Sequence, residues 1–219
     1  MNRCVSIFGG IGTKQQHYKH AIDVYKSNGY NVLFYENKNL DYIIPRKHMK
    51  IAKHAMSNDS DGVVIHCNSG GLWTGMDYLA QAKNNKLLIC EAGPLQCDTT
   101  KLIRVFENLY KFKCPGIIYR NIDTICDKIG IPTKNNHEWH AKFKKELSMI
   151  NNLVCLTSNN DKIIDNEYIN KIIADIKMDN RNAIRYTFDK GNHWNISKSD
   201  TQKYQDIIQN HLNEISKKN

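Results

Sequence analysis

Short apolar runs rich in β-branched residues alternate with longer amphipathic stretches, and this alternation constrains the fold more than any other feature. The strand candidates are Arg3–Phe8, Tyr30–Tyr35, Gly62–Cys67, Lys86–Cys90, the weaker Gly116–Tyr119, Asn152–Thr157 and Ala183–Phe188. The helix candidates are Gln15–Asn28, Arg46–Ser57, Gly71–Asn84, Thr100–Phe112, Trp139–Met149, Asn166–Met178 and Asp200–Lys217. Continuously apolar strands are typical of a parallel sheet covered on both faces. The pattern therefore predicts an α/β fold, a three-layer α/β/α sandwich with a mostly parallel sheet of about six strands.

The length of 219 residues suits one domain with a full core, so we expect a single domain over residues 1–219. The stretch Gln96–Thr133 is the least regular part of the chain, and a βα repeat does not need it. We therefore predict that residues 96–133 form an insertion or a cap over a site, with the weak run Gly116–Tyr119 inside it.

The N-terminus and the cysteines both point to a cytoplasmic protein. The first apolar run is short and is interrupted by Gly9-Gly10, which favours a core strand over a signal peptide. No apolar run approaches the ~20 residues that span a bilayer. The seven cysteines are odd in number and form no C-x-x-C pair, so neither a disulfide scaffold nor a structural zinc site is expected.

The net charge of +9 comes mostly from scattered lysines, and a solvated lysine-rich surface explains it. The alternatives are attraction to acidic substrates, to anionic lipid head groups or to nucleic acid. The densest cluster, Lys142, Lys144 and Lys145, lacks the interleaved aromatic residues that single-strand binding favours. A nucleic-acid partner is therefore the least favoured of these.

Ser69 lies on a turn of the form small-x-Ser-x-Gly, between the strand Gly62–Cys67 and a helix that begins near Gly71. A serine on a tight strand-to-helix turn is exposed from the backbone, where its hydroxyl can attack a substrate. The backbone N–H groups at the start of the following helix point at the same place and can hold a developing oxyanion. The turn therefore predicts that Ser69 is a catalytic nucleophile.

Asp161 and His193 each follow a predicted strand, as Ser69 does. Loops at the carboxyl ends of the strands of an open α/β sheet gather at one edge, so the three residues can meet in space. A histidine can take the serine proton and return it to the leaving group. A carboxylate on the other ring nitrogen fixes the tautomer and stabilises the imidazolium.

The order Ser…Asp…His and the motifs around these residues resemble the α/β-hydrolase superfamily. The turn Cys67-Asn68-Ser69-Gly70-Gly71 resembles its nucleophile elbow, the segment 160–164 its acid loop and the segment 191–193 its histidine loop. The opening 7–12 is similar to its first conserved strand and oxyanion loop, with Phe8 where many members have His. The departures are Cys67 in place of the usual glycine and the poor match of 96–133. The resemblance implies that the strands, in sequence order, are second, first, third, fourth, fifth and sixth from one edge.

The same resemblance implies an oxyanion hole formed by the N–H of Gly70 with an N–H from the first loop, either Gly10 or Ile11. Asn68 is expected to shape the elbow or the pocket. Trp73 and Trp194 could each form a wall of an apolar pocket or pack in the core, and the sequence leaves both interpretations open. No metal or organic cofactor is expected.

Other residues offer alternatives to this assignment. Asp165 could be the acid, although it fits a helix N-terminus better, and Glu91 could supply an acid from the neighbouring loop. Strand alternation places His66 on the sheet face opposite Cys67, as a packing residue. A metal site at His137 and His140 would need more ligands.

The turn Gly9-Gly10-Ile11-Gly12 also suggests dinucleotide binding, with Glu36 at the end of the next strand as a ribose-binding acid. That pattern fails because Gln15 stands where the third glycine is required. The favoured function is a serine hydrolase that cleaves a carboxylic ester or thioester. Its substrate would be a small molecule, with an anionic ester and a lipid both open as candidates. The alternatives are a non-catalytic binding or scaffolding protein, a nucleotide-binding protein and a basic nucleic-acid-binding protein.

Overall fold

The structure of the chain is a computed structural model. It describes residues 3–10, 12–37, 45–59, 63–84, 87–93, 113–128, 144–163, 166–178, 181–193 and 195–217, together with the single positions 103, 107, 111 and 141. Helix candidate Thr100–Phe112 and the first part of Trp139–Met149 lie mostly outside these residues.

The described residues form a six-stranded sheet in which each neighbouring pair of strands is parallel. The strands are β1 (Cys4–Phe8), β2 (Asn31–Tyr35), β3 (Val64–Asn68), β4 (Leu87–Glu91), β5 (Asn152–Ser158) and β6 (Asn182–Phe188). Their order across the sheet is β2-β1-β3-β4-β5-β6. This confirms the predicted parallel sheet and the implied order, in which the second strand is at the edge.

Helices lie between the strands in sequence and after the last of them. They are α1 (Lys19–Ser27), α2 (Pro45–Asn58), α3 (Gly71–Leu79), α4 (Gly116–Lys128), α5 (Asn166–Met178), α6 (Ile196–Ser199) and α7 (Thr201–Lys217). A 3₁₀ turn, Gln15–Tyr18, precedes α1, and a helical segment at 144–147 precedes β5. Among the described residues, none of these helices combines the length and apolar composition needed to cross a membrane.

Two hydrophobic clusters lie on the two faces of the sheet, which gives the three predicted layers. On β3, Ile65 and Cys67 face the cluster that includes residues of α2, α3 and α5. Val64 faces the other cluster, which includes residues of α1 and α7. His66 lies on this second face, opposite Cys67, as strand alternation predicts.

The weak strand predicted at Gly116–Tyr119 is wrong, because these residues begin helix α4. Pro115 precedes them, and its carbonyl accepts the N–H of Ile118 at 2.9 Å. Proline is favoured at the start of a helix. Ile118 and Ile122, four residues apart, are both half-buried, as on one face of a helix. The assignment of 96–133 as an insertion or cap, and of 1–219 as one domain, stays a prediction.

Candidate active site

Ser69 follows the last residue of β3 directly, and its backbone has a φ of 48°. This left-handed conformation is rare for a residue other than glycine and is found at strained functional turns. The Ser69 N–H donates to the carbonyl of Glu91 on β4 at 2.8 Å, and the Ser69 carbonyl accepts the N–H of Leu72 at 3.1 Å. The turn is therefore fixed between the neighbouring strand and the first turn of α3.

Two glycines let α3 pack directly under this turn. A Cβ at Gly71 would lie 2.1 Å from the carbonyl oxygen of Phe8, at the end of β1. A Cβ at Gly75, one turn later, would lie 2.2 Å from Sγ of Cys67. Any side chain at either position would push the helix away from the sheet, so glycine is needed for close approach.

The side chains of Ser69, His193 and Asp161 form one continuous chain of hydrogen bonds. Ser69 Oγ lies 2.8 Å from His193 Nε2, and His193 Nδ1 lies 2.8 Å from Asp161 Oδ2. The side chains of His193 and Asp161 are 5% and 1% exposed. The structure thus brings together the three residues that the sequence singled out, from loops after β3, β5 and β6.

The second oxygen of Asp161 is also bound. Oδ1 accepts the backbone N–H of Ile163 at 2.8 Å, and the Asp161 N–H donates to the carbonyl of Ser158 at 3.2 Å. With one carboxylate oxygen held by the loop backbone, the other is directed at the imidazole. A hydrogen bond at Nδ1 leaves Nε2 as the nitrogen that faces Ser69.

The acid loop and the histidine loop are bound to each other. Ser158 Oγ donates to the carbonyl of Gly191 at 2.9 Å, and Asn160 Nδ2 donates to the carbonyl of Asp189 at 2.9 Å. Gly191 has a φ of 109°, and a Cβ there would lie 2.7 Å from Cβ of Ser199. This glycine makes possible the turn that returns His193 towards the sheet edge.

The first loop lies against the elbow. A Cβ at Gly10 would lie 2.6 Å from Asn68 Oδ1 and 3.2 Å from Cβ of Ser69. Asn37 holds the preceding residue, since its Nδ2 donates to the carbonyl of Gly9 at 2.9 Å. The loop backbone therefore forms a wall beside Ser69.

The two predicted oxyanion donors that the structure describes differ in their hydrogen bonding. The Gly10 N–H donates to the hydroxyl of Tyr18 at 3.0 Å. Within the described part of the chain, the Gly70 N–H has no hydrogen-bond acceptor. Gly70 is therefore available to an incoming oxygen, whereas Gly10 is engaged. The third candidate, Ile11, lies outside the described residues.

Of the pocket candidates, Trp73 is 7% exposed and stacks on the ring of His48, with 6.0 Å between ring centroids. This contact favours packing over an open pocket wall. Trp194 lies outside the described residues.

Glu91 does not take part in this site through its side chain. Its Oε2 accepts the hydroxyl of Tyr204 at 2.7 Å and lies 3.4 Å from His66 Nε2. His66 Nδ1 lies 2.9 Å from the hydroxyl of Tyr25. Burial and, secondly, the charge of Glu91 raise the pKa of Tyr204 well above its usual value. Glu91 is thus part of a buried polar cluster on the α1 and α7 side, and the structure does not support it as the acid. Asp165 lies outside the described residues.

The thiols near the site are buried and free. Burial raises the pKa of Cys67, beside the elbow, far above its usual value, and raises the pKa of Cys155 to about 12. A thiolate is needed for a cysteine nucleophile, so Cys67 is unsuited to that role. The described cysteines are Cys4, Cys67, Cys90, Cys114 and Cys155, and each is a free thiol. A cytoplasmic location stays a prediction.

Among the described residues, no three His, Cys, Asp or Glu side chains lie close enough together to hold a metal ion. Sequence analysis did not identify Asn37, Tyr18 or Tyr204. Asn37 and Tyr204 bond to residues far away in the chain, Tyr18 bonds to the nearby Gly10 and Thr13, and no motif marks any of the three.

Solved structures share this architecture, although neither a protein-family model nor a curated protein matches the chain. The esterase Pf2001 from Pyrococcus furiosus matches with a TM-score of 0.66 and 14% identity, over 97% of this chain and 82% of that chain. A monoacylglycerol lipase from Paleococcus ferrophilus matches with a TM-score of 0.61 and 14% identity, over 96% and 94%. A predicted CIB-like hydrolase from Thermoplasma acidophilum matches with a TM-score of 0.59 and 11% identity, over 96% and 86%. The chain therefore has the α/β-hydrolase fold.

Proposed function

We propose that the protein is a serine hydrolase that cleaves a carboxylic ester or thioester through an acyl-enzyme. The observation that carries this proposal is the unbroken hydrogen-bond chain from Ser69 Oγ through His193 to Asp161, with 2.8 Å at each link. A fold alone does not assign a reaction. The support comes from these three side chains and from the strained backbone of Ser69.

In the proposed acylation step, Ser69 Oγ attacks the carbonyl carbon of the substrate while His193 Nε2 takes its proton. The 2.8 Å contact is within the range that direct proton transfer requires. Asp161 holds the imidazole by Nδ1 and stabilises the imidazolium that forms. The imidazolium then gives the proton to the departing alcohol or thiol, and the acyl group stays on Ser69.

The tetrahedral intermediate carries a negative oxygen that needs donors. The Gly70 N–H is the first, since it follows the nucleophile and has no acceptor among the described residues. The second comes from the first loop, where we favour Ile11 over Gly10 because the Gly10 N–H is already bound to Tyr18. Loss of one such donor typically costs ~10²–10³ in rate.

In the proposed deacylation step, His193 takes a proton from a water molecule that attacks the acyl-enzyme. The proton returns to Ser69 Oγ as the acid leaves, and the enzyme is restored. This chemistry uses the protein's own groups and requires no metal or organic cofactor.

The substrate class is proposed from the reaction type and from the structures that share the fold, which include an esterase and a monoacylglycerol lipase. The net charge of +9 favours the approach of anionic esters over cationic ones. Assay of short and long acyl esters, and of a thioester, would identify the preferred acyl and leaving groups.

A fluorophosphonate probe, which forms a covalent bond with an activated serine, tests the proposal directly. The matched variants are Ser69→Ala and Ser57→Ala, the second at an exposed helical serine whose hydroxyl donates to the His54 carbonyl at 2.7 Å. We expect labelling and ester hydrolysis in the unmodified protein and in Ser57→Ala, and neither in Ser69→Ala. A folded protein that neither reacts with the probe nor hydrolyses any ester would instead be a binding protein with this fold.

A further inference from the structure

The first loop contains a closed ring of hydrogen bonds around one residue. The Gly10 N–H donates to the Tyr18 hydroxyl at 3.0 Å. The Tyr18 hydroxyl lies 3.0 Å from Thr13 Oγ1, which in turn donates to the Gly10 carbonyl at 2.8 Å. Both backbone polar groups of Gly10 are therefore held by side chains from the following turn.

The direction of each proton in this ring follows from the chemistry of the groups. A carbonyl has no proton, so the single proton of Thr13 Oγ1 goes to the Gly10 oxygen. Thr13 Oγ1 must then accept the proton of the Tyr18 hydroxyl. Tyr18 accepts from Gly10 in turn. All three donors in the ring are engaged, so neither Gly10 N–H nor the Tyr18 hydroxyl remains to hold a substrate oxygen.

Packing holds Tyr18 in this position independently of its hydroxyl. The residue is 4% exposed. Its ring contacts the ring of Phe34, with centroids 5.2 Å apart, and the edge of His66, at 6.3 Å. A phenylalanine at this position can keep these aromatic contacts and lose only the hydroxyl. The ring of hydrogen bonds can thus be tested without opening a cavity.

The held residue is the one that borders the nucleophile. A Cβ at Gly10 would lie 3.2 Å from the Cβ of Ser69, so a small shift of this loop changes the space beside the serine. The Gly10 carbonyl accepts the Thr13 N–H at 3.1 Å as well as the Thr13 hydroxyl. Two donors from Thr13 therefore fix the direction of the Gly10 carbonyl.

We propose that Tyr18 and Thr13 are positioning residues, which act through Gly10 to hold the oxyanion loop in its reactive arrangement beside Ser69. This inference rests on the proposed function, because a loop can be positioned for catalysis only if the site is catalytic. Electrostatic stabilisation of an oxyanion depends on donors that are fixed before the reaction. Loss of either hydroxyl frees the Gly10 backbone to reorient and lowers the rate of the chemical step.

The test compares Tyr18→Phe, Thr13→Val and Thr13→Ser with Tyr78→Phe. The last is a control for the loss of a buried hydroxyl, since Tyr78 donates to the Asp59 carbonyl at 2.7 Å and takes no part in the ring. The measurements are kcat and KM on a p-nitrophenyl ester, the rate of fluorophosphonate labelling and thermal unfolding of each variant.

We expect Tyr18→Phe and Thr13→Val to lower kcat and the labelling rate about tenfold to hundredfold, with KM changed less than about twofold. This is less than the loss on removing a donor itself. Thr13→Ser keeps a hydroxyl and should restore most of the rate. Tyr78→Phe should keep the unmodified rate, even where its stability falls as much as that of Tyr18→Phe.

Three results would overturn the inference. They are an unchanged or higher kcat in Tyr18→Phe, an equal fall of kcat in Tyr78→Phe, and failure of Thr13→Ser to exceed Thr13→Val. If Thr13→Val does not fold, the comparison of Tyr18→Phe with Tyr78→Phe still decides. An unmodified protein with neither labelling nor hydrolysis would remove the proposed function and this inference together, whereas an active protein with an unaffected Tyr18→Phe removes the inference alone.

Discussion

The substitution Asp161→Asn tests the proposed site most sharply, because the structure determines how the new amide must turn. Asp161 Oδ1 accepts the Ile163 N–H at 2.8 Å, while Oδ2 lies 2.8 Å from His193 Nδ1. Asparagine offers one acceptor and one donor group of nearly the same size. If its oxygen faces Ile163, its NH₂ faces His193, and Nδ1 must then accept.

The consequence is the wrong tautomer of the histidine. With Nδ1 accepting, the ring proton resides on Nε2, which faces Ser69 Oγ and can no longer take its proton. The opposite amide orientation would set the NH₂ against the Ile163 N–H and leave that partly buried donor without its acceptor, at a cost of about 1 kcal/mol. The backbone contact therefore favours the orientation that blocks catalysis.

We expect kcat to fall about 10³–10⁴-fold, which corresponds to roughly 4–5.5 kcal/mol in the activation barrier. KM should change little, because Asp161 does not contact the substrate in the proposed mechanism. The assay is steady-state hydrolysis of a p-nitrophenyl ester, with thermal unfolding measured alongside. Asp165→Asn is the matched control, since Asp165 is the neighbouring carboxylate that the sequence left as an alternative.

Retention of more than about a tenth of kcat in Asp161→Asn would refute this reasoning, since the tautomer argument allows no such activity. A large loss in Asp165→Asn with an active Asp161→Asn would move the acid to the other residue. Equal small losses in both variants would mean that His193 is oriented by something other than a carboxylate.

Three further substitutions test the packing around the elbow. Gly10→Ala should lower activity strongly, because its Cβ would lie 2.6 Å from Asn68 Oδ1 and 3.2 Å from Cβ of Ser69. Gly116→Ala is the control and should be neutral in the same ester assay, because none of the described residues would lie within 4 Å of its Cβ. Ser69→Gly should be more stable than Ser69→Ala by about 1 kcal/mol in urea unfolding, because only glycine relieves the positive φ, and an equal or lower stability would contradict the strain. Gly75→Ala should lower the free energy of unfolding by about 1–3 kcal/mol, because the new Cβ would lie 2.2 Å from Sγ of Cys67. The double variant with Cys67→Ala should regain much of this stability, because the new Cβ would lie 3.8 Å from Cβ of residue 67. A double-mutant cycle without coupling would contradict this.

The layers of the fold and the six strands of the sheet could be predicted from periodicity, since buried strands and amphipathic helices leave regular patterns. The helix Asn166–Met178 matches its predicted bounds. The order of the strands came from the resemblance, because hydrophobic patterning does not specify which strands are neighbours. The short run Gly116–Tyr119 was misassigned because four apolar or small residues fit either a strand or the first turn of a helix.

The placement of Ser69, Asp161 and His193 was predictable for a general reason. Each lies in the loop that follows a strand of a parallel sheet, and the carboxyl ends of parallel strands share an edge. The contacts that support them were not predictable in the same way. Tyr18 reaches Gly10 from the turn before α1, and Tyr204 reaches Glu91 from α7, and such partners depend on how helices pack in three dimensions.

The cysteine at the start of the elbow shows how a departure from a motif can be accommodated by a distant position. The resemblance implies a glycine where this chain has Cys67, and a larger side chain there would normally force the following helix outward. Here Gly75 lies opposite Cys67, and Sγ of Cys67 occupies the space that a side chain at position 75 would need. The close approach of the helix to the strand is thus kept, although residue 67 carries a side chain. Since the helix must stay near the sheet to direct the Gly70 N–H at the substrate, the pair Cys67 and Gly75 preserves the geometry that the proposed reaction needs.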